Sequence, residues 1–172
     1  MSLFLSSWRV SFGGYVKVDS IHDFSGNGDK RQFLLHTIPV NGSPEPGSYW
    51  NLQAVETRFH FEVRNMSPDV VRNRVFLEFD FYDASSPLAL RLRHAYFEYG
   101  NLLAGQTWTT LTEMRQLPLL LDFAAGDSIY GGRTVQVRWQ AKASDRISWA
   151  VALEHYNDGA IFNAASVEGT AR

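Results

Sequence analysis

The chain has no cysteine among its 172 residues, which excludes a disulfide framework, a thiolate metal site and a cysteine nucleophile together. Lysine is scarce, supplying three of the sixteen basic residues while arginine supplies the rest. Sixteen basic against eighteen acidic residues leave a net charge of -2, so a basic nucleic-acid-binding surface is excluded as the dominant feature. No stretch reaches the ~18 to 20 apolar residues of a membrane helix. The richest segments, Leu3-Phe4-Leu5 and Leu117-Pro118-Leu119-Leu120-Leu121, are short. Met1 to Trp8 lacks the basic flank and apolar length of an export signal. His22, His36, His60, His94 and His155 show no metal-ligand spacing, and Gly26-Asn27-Gly28-Asp29-Lys30 lacks the Gly-Lys-Ser/Thr ending of a phosphate loop. There is no Gly-x-Ser-x-Gly elbow. No catalytic residue, metal or cofactor is assigned.

What the chain does have is aromatic content, 14%, within a sequence of negative mean hydropathy, -0.21. Large rings must therefore share segments with charges, and the pattern shows how. From Val55 to Arg64, Val55, Thr57, Phe59, Phe61 and Val63 take one parity and Glu56, Arg58, His60, Glu62 and Arg64 the other. Period two is the mark of a strand. The same alternation runs through 9–19, 72–82, 134–142 and 147–153. It also runs through 88–99, where it breaks near His94 and predicts a bulge. With a short strand over 102–108, seven strands and no convincing helix are predicted. The fold class is all-β, an antiparallel up-and-down meander.

Connection lengths sort by position. Those after the first, third and fifth strands are long (25–48, 83–87, 109 to about 132), and the others are tight turns at 66–69, 100–101 and 143–145. Sorting of long loops to one end is a habit of outer-membrane barrels. Beyond Tyr156 the sequence makes a poor eighth strand, so the sheet reads as an incomplete transmembrane β-barrel, one 1–172 porin-type segment expected to be the front part of a longer protein. Periodicity leaves one question open, because a soluble lipocalin-like barrel or sandwich, apolar inside, gives the same alternating string as a porin, apolar outside. Arginine paired with Glu56, Glu62, Glu78 and Asp80 suits a polar lumen.

The block Leu90-Arg91-Leu92-Arg93-His94-Ala95-Tyr96, continuing Glu98 to Thr110, closely resembles the DcaP-like outer-membrane porins. Gly13 to Phe24, Thr57 to Arg64, Leu77 to Tyr82 and the Leu117-Pro118…Leu121-Asp122-Phe123 segment follow in family order over most of 13–142. The resemblance implies a homotrimeric porin of about sixteen strands in the bacterial outer membrane, with lipid around it and small anionic solutes such as dicarboxylates passing through. It implies neither enzyme activity nor nucleic-acid binding. The pore-lining candidates are Arg58, Arg74, Arg91, Arg93 and Arg138. The connection over 110–130, through Leu117, Leu121, Asp122 and Phe123, is expected to fold inward as a constriction loop. Trp139 and Trp149 are read as membrane-interface residues.

Overall fold

The computed structural model describes residues 1–25, 29–34, 38, 47–82, 89–112, 114, 121 and 132–155. Its strands are β1 (Ser2–Leu5), β2 (Trp8–Tyr15), β3 (Asp19–Asp23), β4 (Tyr49–Gln53), β5 (Arg58–Asn65), β6 (Asn73–Asp80), β7 (Arg91–Tyr99), β8 (Leu102–Trp108), β9 (Arg133–Lys142) and β10 (Ser148–His155). Eight of them form one antiparallel sheet in the order β1-β2-β5-β6-β7-β8-β9-β10, and β3 pairs with β4 as a separate two-stranded sheet. The all-β meander is thus present, and the sheet is open, since β1 and β10 each have one neighbour.

The count of seven strands is corrected to ten among the described residues. The run expected over 9–19 breaks after Tyr15 and resumes as β3, which with β4 brackets the first long connection. The opening residues form β1, turned back on β2 by a two-residue connection in which Ser6 takes the left-handed conformation (φ 56°). Two-residue hairpins need such a conformation to match strand twist. The loop sorting holds: the turns at 6–7, 66–72, 100–101 and 143–147 lie at one end, the long connections at the other.

Register fixes the faces. Val10, Phe12, Phe59, Phe61, Val63, Val75, Leu77, Phe79, Phe97, Ala104, Val135, Val137, Trp139, Val151 and Leu153 stand in cross-strand rows on one face. Arg64, Glu62, His60 and Arg58 meet Arg74, Phe76, Glu78 and Asp80 on the other. Burial then answers what periodicity left open. Leu103 is the one buried hydrophobic residue among the described residues, whereas Glu62, Asp80, Arg93, His94, Glu98 and Gln136 are all buried. Leu153 is 81% exposed and Val151 67%. Every strand contact of any extent is between sheet neighbours, so no second layer of strands covers the apolar rows among the described residues. A lipocalin-like domain or sandwich requires the reverse burial, and that alternative is set aside. The arrangement is that of a barrel wall with a polar interior and an apolar exterior.

Two glycines are imposed by backbone approach. A Cβ on Gly105 (φ 125°) would lie 2.2 Å from the carbonyl oxygen of Ala95, and one on Gly14 (φ 144°) 2.1 Å from that of Arg58. Neither position admits a side chain without the neighbouring strand moving.

Candidate functional site

The polar face is organised in bands along the strands. At the short-turn end Glu62 accepts from Arg64 Nη2 at 2.6 Å and Arg74 Nε at 2.5 Å, with Arg9 Nη2 at 3.9 Å. Glu98 faces Arg72 Nη2 at 3.2 Å and Arg74 Nη1 at 3.7 Å. At the long-loop end Arg91 grips Asp80 with two bonds, Nε to Oδ1 at 2.8 Å and Nη2 to Oδ2 at 2.6 Å. Arg93 donates to Asp80 Oδ2 and Glu78 Oε1, both at 2.9 Å, and Arg58 Nε lies 3.7 Å from Glu78. Planar guanidinium groups suit such shared, bidentate pairing. Across these contacts seven arginines share four carboxylates.

Between the two ionic bands runs an aromatic one. His60 stacks on Phe76 with ring centroids 5.6 Å apart, Phe76 lies 5.5 Å from Tyr96, and His94 lies 6.0 Å from Trp108. Arg74 caps this band, its guanidinium 4.8 Å from the Phe76 centroid and donating to the Tyr96 hydroxyl at 2.7 Å. Such stacking fixes the rings that separate the charged groups.

The bulge explains how β7 brings so much charge inward. Glu78 pairs with His94 and Phe79 with Leu92, so Arg93 is the extra residue. Arg93 and His94, adjacent in sequence, are both buried, which strict alternation forbids and a bulge permits. His94 Nδ1 then meets Thr107 Oγ1 at 3.0 Å.

Of the sequence candidates, Arg58, Arg74, Arg91 and Arg93 fall within these bands, and Arg138 shares the polar parity opposite Leu103 and Ala152. Leu117, Asp122 and Phe123 lie outside the described residues. Leu121 is described, and its carbonyl accepts from Lys17 Nζ at 2.8 Å. The connection carrying Leu121 leaves β8 and returns to β9, closed at its base by Thr109 N to Gly132 O at 3.0 Å. Lys17 follows β2, whose neighbour β5 stands three strands from β8 in the sheet order, roughly 14 Å along the wall at ordinary strand spacing. Leu121 therefore lies away from the hairpin to which it belongs.

The Lys17 ammonium also holds Glu56 and, at 2.9 Å, Asp19 Oδ1. Burial pushes this lysine down, but Glu56 and Asp19 more than offset that and hold it above the ordinary lysine range. Since its folded value is raised, the contribution of this contact to stability is complete below the ordinary lysine pKa and disappears as pH rises through the higher folded value. Nearby, Tyr82 is sandwiched by Arg31 at 5.6 Å and Arg91 at 4.9 Å, and burial raises its phenol.

Sequence reasoning missed Lys17 and Arg133. Register puts Trp108 and Arg133 on the apolar parity. The Trp108 ring nevertheless lies 6.0 Å from the buried His94 ring, and the Arg133 guanidinium stacks 4.7 Å from the Trp108 centroid. The end of this hairpin turns both inward. A basic residue immediately after a long loop, facing an aromatic at the loop's start, was the available signal.

Comparison with known proteins agrees with this wall. The crystal structure of the outer membrane channel DcaP of Acinetobacter baumannii is similar, with a TM-score of 0.70 and 23% identity over 88% of this chain. The match spans 42% of that channel's own chain. No curated protein matches. The family model described as DcaP outer membrane protein matches residues 5–172. A polar face of shared arginines, an exposed apolar face, and a family match over nearly the whole chain lead to one assignment: the chain belongs to the DcaP outer membrane protein family, whose place is the bacterial outer membrane.

Proposed function

We propose that these strands line a passive, non-enzymatic diffusion channel for small anionic solutes, dicarboxylates among them. The supporting observation is the surplus of cationic over anionic groups on the polar face, where seven arginines share four carboxylates. A wall of that balance attracts anions while leaving them hydrated enough to leave. Lipid contacts the apolar rows, and the homotrimer implied by the family resemblance is part of the proposal. Within it Arg58, Arg74, Arg91, Arg93 and Arg138 line the passage. The connection through Leu117, Leu121, Asp122 and Phe123 narrows it, a role favoured by the reach of Leu121 to Lys17.

The test is electrical. The full-length protein in planar bilayers should give a reversal potential on the anion side in a potassium chloride gradient. Lys17→Met, which removes the ammonium from Leu121, Asp19 and Glu56, should raise single-channel conductance or its open-state noise. Cation preference in the unmodified protein would end the anion reading, and a conductance trace unchanged by Lys17→Met would remove the narrowing role.

A further inference from the structure

We infer that Arg133 and Arg138, both on β9, are the residues that hold solute carboxylates, whereas Arg91 and Arg93 hold the wall together. The inference rests on the anion-channel reading and assigns that role within it.

Arg9, Arg58, Arg64, Arg74, Arg91 and Arg93 on the other strands each face a carboxylate. Arg133 and Arg138 have no ion pair and no hydrogen bond among the described residues. The carboxylate nearest along this part of the sheet, Glu154, has one oxygen already taken by the Thr110 amide and hydroxyl, both at 2.7 Å. It is the one acidic residue on β8, β9 or β10. Arg133 and Arg138 thus outnumber the single carboxylate of these strands and neither is paired with it, whereas Asp80 has most of the Arg91 fork bound to it.

Geometry then distinguishes the two residues from ordinary surface cations. The Arg133 guanidinium carbon lies over the Trp108 ring, 4.7 Å from its centroid, a cation–π contact that restrains the group and uses none of its N–H donors, leaving them for a bidentate acceptor. None of its nitrogens is both buried and unpartnered, so these donors keep some exposure. Arg138 has a buried Nε without a partner, as Arg9 and Arg64 do, but unlike them it has no carboxylate beside its guanidinium among the described residues. Five residues along an extended strand separate them, roughly 17 Å. A short dicarboxylate cannot bridge that distance, so the pair makes two successive stations, as conduction requires.

The experiment uses the full-length protein in planar bilayers, with potassium chloride gradients for selectivity and malonate block of chloride current for affinity. The double variant Arg133→Gln/Arg138→Gln should move the reversal potential toward the cation side and weaken malonate block roughly tenfold. Arg91→Gln should shift neither to that extent while lowering stability. An anion-selective wild type whose selectivity and malonate block survive Arg133→Gln/Arg138→Gln would overturn the assignment and leave the channel reading intact. A wild type without anion preference would overturn that reading first. If the glutamine variant yields no channels, Arg133→Lys/Arg138→Lys decides: charge is kept but the planar fork is lost. Retained reversal potential with weakened malonate block supports the assignment, and unchanged block contradicts it.

Discussion

Replacing Asp80 with asparagine should destabilise the folded wall by about 3 to 5 kcal/mol, the range for removing one partner of a buried ion pair. Asp80 is 1% exposed and receives three charge-assisted bonds, two from Arg91 and one from Arg93. The variant is nearly isosteric, so packing is preserved and the loss is electrostatic. It leaves Arg91 and Arg93 beside Arg58 with only Glu78 between them. Urea unfolding in detergent micelles, followed by tryptophan fluorescence, measures the change. Removing one of the stranded cations as well, in Asp80→Asn/Arg91→Gln, should recover part of it. A loss below about 1 kcal/mol, the scale of exposed pairs, would mean that water already screens this cluster.

The second large effect concerns the opposite face. Val137 is 51% exposed, between Ala104 and Leu153 on neighbouring strands. On a soluble sheet a valine so exposed is replaced by arginine with a change within about ±0.5 kcal/mol. Facing lipid near the bilayer middle, the same substitution costs about 2 to 4 kcal/mol. Val137→Arg should therefore lower the folding free energy into lipid vesicles by that larger amount. Gln136→Arg, one residue away on the polar parity, tests the inner face, where the result is governed by space and by Arg138. A Val137→Arg variant folding as well as the parent would place this row in water.

The strands on which parity is strict were legible from sequence: β5 and β9 alternate without exception over their central residues, and register places those residues as the alternation requires. The bulge in β7 was legible too, because Arg93 and His94 cannot both be polar-facing in a regular strand. Three elements were not. In β1, Leu3, Phe4 and Leu5 are consecutive apolar residues with no period, and the strand forms because the turn at Ser6 returns it to β2. The β3–β4 pair is two five-residue strands separated by twenty-five residues of sequence, too short for periodicity to separate from loop. Lys17 has its partner at Leu121, 104 residues away, a contact that no local pattern encodes.

The site was legible in residue type more than in role. Alternation identified Arg91 and Arg93 as inward-facing but carried no information on their partners. Only the cross-strand register shows that Asp80 stands opposite Arg91 and takes up its charge. Arg133 lay outside the expected strand, and parity would not have turned it inward, since strand ends twist away from the ideal pleat and Trp108 follows His94 rather than its own row. The choice between lumen and core was beyond periodicity altogether, because turning the alternation inside out leaves the string unchanged.

The central claim is that the apolar rows meet lipid and the polar rows meet water, and β9 tests it most directly. Because the chain has no cysteine, single cysteines at Thr134, Val135, Gln136, Val137, Arg138 and Trp139 each carry one nitroxide. Power-saturation EPR of the full-length protein in lipid vesicles then compares collisions with oxygen, which concentrates in the bilayer, against a water-soluble nickel chelate. The account requires oxygen access to peak at 135, 137 and 139 and nickel access at 134, 136 and 138, with the two profiles out of phase. Nickel access at 135, 137 and 139 as high as at their neighbours, or two profiles in phase, would contradict it.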